Sequence, residues 1–397
     1  MTTIKSPPRL VTLILLTAFS TLSLNMFLPS LANIAQDLDA AYSTVSLALA
    51  GYLAITAIIQ LIVGPLSDRI GRRPVLISAL IIFTIASIGC SLATDVWTFL
   101  FFRMFQGAMI SGYALSLAMV RDTRSQREAA GLIGYISMAM AIAPMLGPMF
   151  GGVLDQAFGW RANFYFYSLV GLLLMLWCWF DVGETRPKHD VTSGEKPTNS
   201  MMTLILSPLF WCFSLCGAFS TGAFYIFLTG APLVAKNQFG VTTGELGFFI
   251  GSITAGFMFG SFLSGRLAPR FQPTSMMLAG RLTACIGLSI GVLALLIEQV
   301  SPLLFFGSTI FVGLGNGITM PSASSAVMSI EPGLTGSAAG LNGAMIVAIG
   351  AILTSLTGLI LPQEAPALTL LILMLIASVA GMLSVLVAMR IQSLSNQ

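Results

Sequence analysis

Long apolar segments follow one another along the whole chain and are separated by short polar stretches. They cover 10–35, 44–66, 74–93, 96–119, 129–152 and 162–182, and then 203–235, 244–267, 274–297, 302–329, 335–361 and 365–390. A run of about 20 apolar residues is long enough to cross a bilayer as a helix. Because a membrane span must satisfy its own backbone hydrogen bonds and no alternating barrel pattern is present, the pattern predicts an all-α membrane protein with twelve transmembrane helices.

One sustained hydrophilic segment divides the twelve spans into two groups of six. It reads GETRPKHDVTSGEKPTNS from Gly183 to Ser200 and contains the single histidine of the chain, His189. Its Pro, Ser, Thr and charged residues are typical of a linker. We therefore predict a six-helix bundle over 1–182, a linker over 183–202 and a second six-helix bundle over 203–397.

The composition excludes a soluble protein. Of the 397 residues, 56% are hydrophobic and 8% charged, and the mean hydropathy is +0.91, whereas a soluble domain has about 25% charged residues. We expect the first span to be retained, because no small-residue cleavage pattern follows it. The five cysteines lie in apolar segments, and Cys212 and Cys216 share a helix face without a third Cys or His ligand nearby, so neither a disulfide framework nor a metal site is predicted.

The basic residues predict the orientation. If the first helix leaves the cytoplasm, every Lys and Arg falls on the cytoplasmic side except Arg161 and Lys236, which fall opposite, and Arg103 and Arg281, which lie inside apolar segments. Such an excess of positive charge marks cytoplasmic loops. We predict that both termini and the linker are cytoplasmic, in a multi-pass protein of the bacterial inner membrane.

The densest cluster of charge is the stretch GPLSDRIGRR between the second and third spans. It places Asp68, Arg69, Arg72 and Arg73 within six positions, and these groups must lie in water at a membrane face. A degenerate copy that lacks the acid follows the eighth span, from Gly265 to Arg270. Two six-helix repeats that meet near a midplane substrate site are a frequent architecture of secondary transporters.

The stretch resembles the loop signature of the major facilitator superfamily, G-x-L-x-D-R-x-G-R-R, at every specified position. The resemblance implies a gate on the cytoplasmic side that is formed by Gly64, Asp68, Arg69, Gly71, Arg72 and Arg73. Asp122, at the end of the fourth span, is expected to pair with an arginine of this loop. In the alternative interpretation the arginines only set the topology.

Two further segments resemble motifs of the same superfamily. Arg103, Gln106 and Gly107 resemble its R-x-x-Q-G motif, which implies a role in proton coupling; alternatively, Arg103 snorkels to the face where the helix begins. The fifth span resembles the antiporter motif, with Ala143 in place of one glycine, and this favours an exporter with a helix that can kink. Its motif residues are Gly134, Pro144, Gly147, Pro148, Gly151 and Gly152. Gly and Pro are, however, common in membrane helices generally.

A narrower resemblance connects the segments Asn25–Leu31 and Gly222–Pro232 to the bicyclomycin and chloramphenicol resistance group of drug:proton antiporters. The acid of that group's first helix is replaced here by Asn25, which cannot titrate. The coupling role then passes to Asp37, Asp39, Asp122 or Asp155 at a helix end, or transport is facilitated without protons.

The substrate cavity is predicted from aromatic, thioether and amide side chains within the spans. The candidates are Asn25, Tyr52, Tyr113, Met138, Phe224, Tyr225, Phe227, Asn316 and Asn342. Each of them is alternatively a packing residue. Because Arg103 is the main fixed charge among the spans, neutral or anionic substrates are favoured; Arg281 is interpreted as a snorkelling or interhelical charge near the cytoplasmic face.

The function predicted from these patterns is alternating-access, proton-coupled export of small apolar drugs in the chloramphenicol and bicyclomycin range. The alternative is an exporter or facilitator of a nucleoside, sugar or amino acid with weak or no proton coupling. An enzyme is not expected, because no nucleophile, base and orienting group can be assembled around the one histidine. We expect a monomer without a cofactor that uses the proton gradient and binds no nucleic acid.

Overall fold

The computed structural model describes residues 8–124, 126–185, 201–267, 270–298, 301–331, 335–362 and 364–395. Every regular element in these ranges is a helix. Most of the predicted linker, from 186 to 200, lies outside the described residues. The chain divides into two compact units, the first with Met1–Val191 and Thr242–Gly251, the second with Thr192–Val241 and Ser252–Gln397. The domain boundaries at 182 and 203 stay a prediction.

The first unit contains eight α-helices in its described part. They are α1 Leu10–Asn25, α2 Leu31–Asp37, α3 Tyr42–Ile70, α4 Arg72–Leu92, α5 Val96–Phe105, α6 Ile110–Thr123, α7 Gln126–Phe158 and α8 Arg161–Asp181. Helix α4 packs on α8, and α1 packs on α7. A cluster of edge-to-face rings that includes Phe19, Phe83, Phe164 and Tyr167 fills the space between α1, α4 and α8.

The remaining helices follow the linker. They are α9 Met201–Ile205, α10 Pro208–Val234, α11 Thr243–Leu267, α12 Pro273–Leu296, α13 Pro302–Ser329, α14 Thr335–Ile360 and α15 Pro366–Ser395. Helix α11 begins in the first unit and continues into the second. In the second unit α12 packs on α13, and α10 packs on α14 and α15 around a buried core that includes Phe210, Phe213 and Met277.

Ten helices of the described chain are long and apolar enough to cross a membrane. The fourth and fifth predicted spans are the continuous helical segment from Val96 to Thr123 and the 33-residue helix α7. With these two, the chain has the twelve membrane-crossing segments that the hydrophobic pattern predicts, and the all-α fold is confirmed.

The structure adds breaks that the hydrophobic pattern did not show. The first span is interrupted by a 3-10 turn at Leu28–Ser30, where Pro29 has no N–H to continue the ladder of α1. A second 3-10 turn, Gln106–Met109, divides the fourth span into α5 and α6. The charged stretch is itself helical up to Ile70, so that Gly71 alone connects α3 with α4.

Candidate functional site

Gly71 makes the turn between α3 and α4 in a conformation that other residues rarely adopt. Its φ is 107°, in the region that glycine tolerates because it has no Cβ. A Cβ at this position would also collide with the carboxylate of Glu184. The glycine therefore provides both the turn and the space for that carboxylate.

Glu184 fastens the start of α4 to the chain that follows α8. Its Oε1 accepts from the backbone N of Arg72 at 2.9 Å, and its Oε2 accepts from the backbone N of Arg73 at 3.3 Å. The first amides of a helix have no partner within the helix, and an acid there is favoured by the helix dipole. Arg73 Nη2 also donates to the backbone oxygen of Trp179 at 2.8 Å, with the guanidinium 5.1 Å from the Trp179 ring centre.

Arg72 pairs with the acid that the sequence singled out. Its Nε lies 3.0 Å from Asp122 Oδ2 at the end of α6, both side chains being about nine-tenths buried, and its Nη1 donates to Ser67 Oγ. Arg69 is exposed. No described atom lies within 4 Å of a Cβ built on Gly64. The side chain of Asp68 lies outside the described residues.

The start of α5 is set by Asp95. Its Oδ1 accepts from the backbone N of Trp97 at 2.9 Å and of Thr98 at 3.0 Å, which is an N-cap arrangement. Hydrogen bonds from Thr98 and Trp97 lower the pKa of the Asp95 carboxyl. The cap fixes the helix register that brings Arg103, two turns further on, into the interior of the unit.

Arg103 is fully buried, which excludes the snorkelling interpretation. Its Nη1 donates to Gln106 Oε1 at 2.6 Å and its Nη2 to the backbone oxygen of Ser23 at 3.0 Å. The guanidinium also lies between two rings, 4.1 Å from the centre of Phe27 and 4.4 Å from that of Tyr52. Its Nε is buried without an acceptor among the described residues. The charge is thus held by amide, carbonyl and ring groups.

The 3-10 turn after α5 completes this group. It directs Gln106 Nε2 to Ser87 Oγ on α4 at 2.7 Å, while Tyr52 OH lies 2.9 Å from Ser23 Oγ. A Cβ on Gly107 would lie 3.1 Å from Ile55 Cγ2, so glycine allows α3 to pack against the turn. The R-x-x-Q-G segment therefore connects α1, α3 and α4. We call Arg103, Gln106, Ser87, Ser23 and Tyr52 the Arg103 network.

The antiporter-motif helix α7 packs closely on α1. Its Pro144 and Pro148 lie inside the helix. Gly147 faces the backbone of Met26, and a Cβ on Gly151 would collide with the Met26 oxygen. Gly152 is also buried, whereas the surroundings of Gly134 lie outside the described residues. The small residues permit this contact, and the pivoting role stays a prediction.

The second unit contains a buried arginine that the sequence did not mark as a site. Helices α12 and α13 cross where Gly280 faces Gly315, and neither position has room for a Cβ. The neighbouring residues, Arg281 and Asn316, are thereby brought together: Nη2 donates to Asn316 Oδ1 at 2.6 Å, and Nε donates to Thr319 Oγ1 at 3.1 Å. Arg281 is fully buried, so of the two sequence interpretations the interhelical one holds and the snorkelling one does not.

The predicted cavity residues do not all come together. Tyr52 joins the Arg103 network, Asn316 contacts Arg281, and Asn25 donates from Nδ2 to its own helix at Thr21 O, 2.9 Å away. Phe227 is fully buried and packs edge-on against Phe306, at 6.2 Å between ring centres. Tyr113, Phe224 and Tyr225 are partly exposed, and the rings of Phe224 and Tyr225 lie 6.3 Å apart between centres. Asn342 is buried, and the side chain of Met138 lies outside the described residues.

A cavity of about 640 Å³ lies within the second unit, away from all of these positions. Its lining includes Phe213 at the start of α10, Thr274 at the start of α12, Ser325 on α13 and Met389 on α15. Its lining combines hydroxyl and amide groups with apolar side chains. Sequence patterns did not indicate it, because its residues share no spacing along the chain.

The four acids considered for proton coupling have different surroundings. Asp37 accepts from Trp160 Nε1 at 3.2 Å and pairs with Arg161, while Asp122 pairs with Arg72. Asp39 is exposed in a turn with φ 45°. Asp155, near the end of α7, has the smallest exposed fraction of any Asp or Glu in the described part of the chain, 5%, and its Oδ2 accepts from Asn33 Nδ2 at 2.9 Å.

The fold matches that of solved membrane transporters. The chain aligns with a bacterial homolog to the human lysosomal transporter Spinster with a TM-score of 0.76 at 17% identity, over 96% of this chain and 94% of that one. A similarity at this identity shows the fold. The helices and the buried charges within them define a multi-span membrane protein with the fold of membrane transporters.

The chain belongs to the Major Facilitator Superfamily, whose family model matches residues 13–355. It is 30% identical to the MFS-type transporter YdgK of Bacillus subtilis, over 91% of this chain and 90% of that protein. It is 30% identical to a chloramphenicol resistance protein of Pseudomonas aeruginosa, over 68% and 65%. It is 28% identical to a bicyclomycin resistance protein homolog of Haemophilus influenzae, over 87% and 88%. The resemblance drawn from the motifs is confirmed, as is the expectation that the chain is not an enzyme.

Proposed function

We propose that the protein exports small, largely apolar compounds of the chloramphenicol and bicyclomycin range by alternating access. The observation that carries the proposal is the complete burial of Arg103 on neutral partners in a transporter, because an ionisable group kept inside a span by default marks a functional site. Relatives named for chloramphenicol and bicyclomycin resistance support drugs as the substrate class. The likeness of helix α7, with Pro144 and Pro148 inside it, to the antiporter motif supports export.

Neutral or anionic substrates fit the site better than strongly cationic ones. Arg103 and Arg281 are each fully buried, and their described hydrogen bonds go to amide, hydroxyl and carbonyl oxygens rather than to carboxylates. Their positive charge therefore remains largely uncompensated and disfavours a second cation nearby.

Export is coupled to protons through Asp155. Asn25 cannot titrate, and its amide is engaged with its own helix. Asp155 is buried near the end of the motif helix and accepts from Asn33 of α2. A buried carboxyl changes its charge at a considerable cost, so protonation there can alter the packing of α7.

The loop from Gly64 to Arg73 acts as the cytoplasmic latch, in a monomer of the inner membrane with both termini in the cytoplasm. Glu184 and Asp122 fasten the end of the loop that contains Arg72 and Arg73 within the first unit. Asp68→Asn is expected to impair transport while leaving membrane insertion intact.

The experiment is transport in proteoliposomes under an imposed pH gradient. Native protein is expected to move radiolabelled chloramphenicol against its gradient with stoichiometric proton flux, and Asp155→Asn is expected to retain downhill movement but lose the proton flux. Asp39→Asn is the matched control, because it makes the same substitution at an exposed aspartate. Proton exchange that persists in Asp155→Asn would assign coupling elsewhere.

A metabolite facilitator without proton coupling is the second candidate, and the amide at position 25 favours it. It predicts downhill movement of nucleosides, sugars or amino acids that is indifferent to the pH gradient. Counterflow assays with these three classes separate it from a drug exporter.

A further inference from the structure

The amide of Asn316 is held in a single orientation. Arg281 has only hydrogen-bond donors, so the Asn316 atom 2.6 Å from its Nη2 is the oxygen. Ser220 Oγ donates to the same oxygen at 2.7 Å, and Asn316 Nδ2 donates to the backbone oxygen of Ser220 at 3.0 Å. Both acceptor positions of the amide oxygen are occupied by these donors, and one amide N–H remains for a further acceptor.

Asn316 is also the least buried member of this group. Arg281, Ser220 and Thr319 are each 0% exposed, whereas Asn316 is 5% exposed. Access to the buried guanidinium is therefore expected to lead through Asn316, whose amide oxygen lies 2.6 Å from Arg281 Nη2. Donation from a guanidinium to the amide oxygen polarises the amide and strengthens its N–H as a donor.

The positive charge of Arg281 adds a preference for negative partners. Its Nη1 is buried and has no acceptor among the described residues, and its other described bonds go to a neutral amide and a hydroxyl. Gly381 on α15 makes room for the side chain, since a Cβ there would lie 3.3 Å from Arg281 Cδ. The second unit thus places a cation where it acts only through Asn316.

We propose that Asn316 is a specificity-determining residue that donates a hydrogen bond to an acceptor oxygen of the substrate, such as a carbonyl, nitro or carboxylate oxygen, and that Arg281 is the positioning residue that fixes and polarises its amide. The inference rests on the proposed export function and names the chemical group that the second unit recognises. It assigns to Arg281 a role in substrate selection rather than in packing alone.

The test is the KM and kcat of chloramphenicol transport, since this probe has nitro and amide oxygens. Asn316→Asp keeps the shape of the side chain and the contact with Arg281 but replaces the outward donor by an acceptor, so KM should rise more than tenfold. Asn316→Ala removes the hydrogen bond and should raise KM about five- to tenfold. In both variants kcat should stay near that of the native protein, while the melting temperature should fall most in Asn316→Ala, which leaves the buried Arg281 Nη2 without its described acceptor.

Arg281 is tested by rescue. Arg281→Met removes the charged donor that polarises the amide and leaves Ser220 as its described partner, so KM should rise. Arg281→Lys, which can still donate to Asn316 Oδ1, should recover most of the native KM. Thr283→Ala is the matched control on α12, because Thr283 bonds only to its own helix at Ala279 in the described contacts. Its KM should be unchanged.

The outcomes separate the two proposals. A native protein that does not transport chloramphenicol overturns the proposed function and this inference with it. Native transport combined with an unchanged KM in Asn316→Asp overturns this inference alone. So does a loss confined to kcat and melting temperature, since that is what a purely structural role would produce.

Discussion

The two units solve the same problem, a fully buried arginine, with different surroundings. In the first unit Arg103 donates to Gln106 Oε1 at 2.6 Å and lies between the rings of Phe27 and Tyr52. In the second, Arg281 donates to Asn316 Oδ1 at the same distance but is held by Thr319 instead of rings. Each charge is thus held by a carboxamide, and the difference lies in what covers the guanidinium.

This difference shows which parts of each guanidinium group, its faces or its edges, are held by neighbouring residues. Ring faces stabilise a cation by about 0.5–2 kcal/mol and occupy the flat sides of the guanidinium. Arg103 is therefore fixed on its faces and its edges, whereas Arg281 is fixed mainly through its edge. We infer that the first network depends on the planar shape of arginine and that the second depends mainly on its donors.

The loops of the two units show a similar contrast. The turn at Gly71 is filled by Glu184, and Arg72 is paired with Asp122. In the degenerate copy, which begins in the last turn of α11, a Cβ on Gly265 would meet no described atom within 4 Å. Arg266 lies over the ring of Phe262 on the same helix at 4.6 Å. The first loop is held within its unit by Glu184 and Asp122, whereas the second loop is the end of helix α11.

The largest expected effect separates the two arginines. Arg103→Lys should lower the transport rate about 100-fold, because an ammonium cannot replace the forked donors and the stacking on two rings together. Arg281→Lys should change the rate less than tenfold. Initial rates in proteoliposomes, normalised to folded protein, give both values; equal losses would remove the distinction between the networks.

The second-largest expected effect is a difference in stability between variants of the two loop glycines, Gly71 and Gly265. Gly71→Ala should destabilise the first unit by about 1–3 kcal/mol, because the backbone has φ 107° and the new methyl collides with Glu184. Gly265→Ala should leave stability unchanged or raise it by about 0.5–1 kcal/mol, since alanine is favoured within a helix. Melting curves in detergent measure both.

A double variant identifies the cause of the Gly71 effect. In a Glu184→Ala background the collision is absent and only the backbone strain remains, so Gly71→Ala should lower the melting temperature less than in the native background. An equal decrease in both backgrounds would show that the Glu184 carboxylate does not set the size of the effect.

A smaller effect is expected from the ion pair of the first loop. Asp122→Asn removes the charge that faces Arg72 in a largely buried position, and we expect a cost of about 1 kcal/mol and a several-fold slower transport. Arg9→Gln is the control, because Arg9 is 73% exposed and its removal leaves Asp181 the hydrogen bond from Thr12 Oγ1. Comparable losses in the two variants would mean that burial of the pair is irrelevant.

The smallest effect should come from the second loop. Arg266→Gln removes an exposed cation from the Phe262 ring and should change stability by no more than about 0.5–1 kcal/mol, with transport unchanged. A large loss of transport would show that the degenerate copy is a second latch.

Much of the fold was predictable because membrane spans must be long and apolar. The bounds of α13, Pro302–Ser329, coincide with the predicted segment, and those of α12 differ by one residue at each end. The breaks were not predictable from hydropathy, because the 3-10 turn at Gln106–Met109 keeps its residues inside the apolar segment. Hydropathy also did not indicate that Gly64–Ile70 continues helix α3, because this segment is charged.

The site was predictable where a contiguous motif contains it. Arg103 and Gln106 are three residues apart, so their contact follows from helix geometry, and the Arg72–Asp122 pair follows from opposite charges at two span ends. Glu184 and the Arg281–Asn316 contact depend on residues more than thirty positions apart. If the register between α12 and α13 had been known, the glycines at their crossing, Gly280 and Gly315, would have indicated the Arg281–Asn316 contact.

The 3-10 turn between α5 and α6 also makes this span adjustable in length. A 3-10 helix rises about 2.0 Å per residue with three residues per turn, against about 1.5 Å and 3.6 in an α-helix. Rewinding the four residues Gln106–Met109 into the α form would shorten the span by about 2 Å and rotate α5 against α6 by about 80°. The guanidinium of Arg103 lies one turn from this junction and would rotate with α5. A change in the winding of this turn would therefore change the direction in which the positive charge points. Spin labels on α5 and α6 would measure that shortening directly.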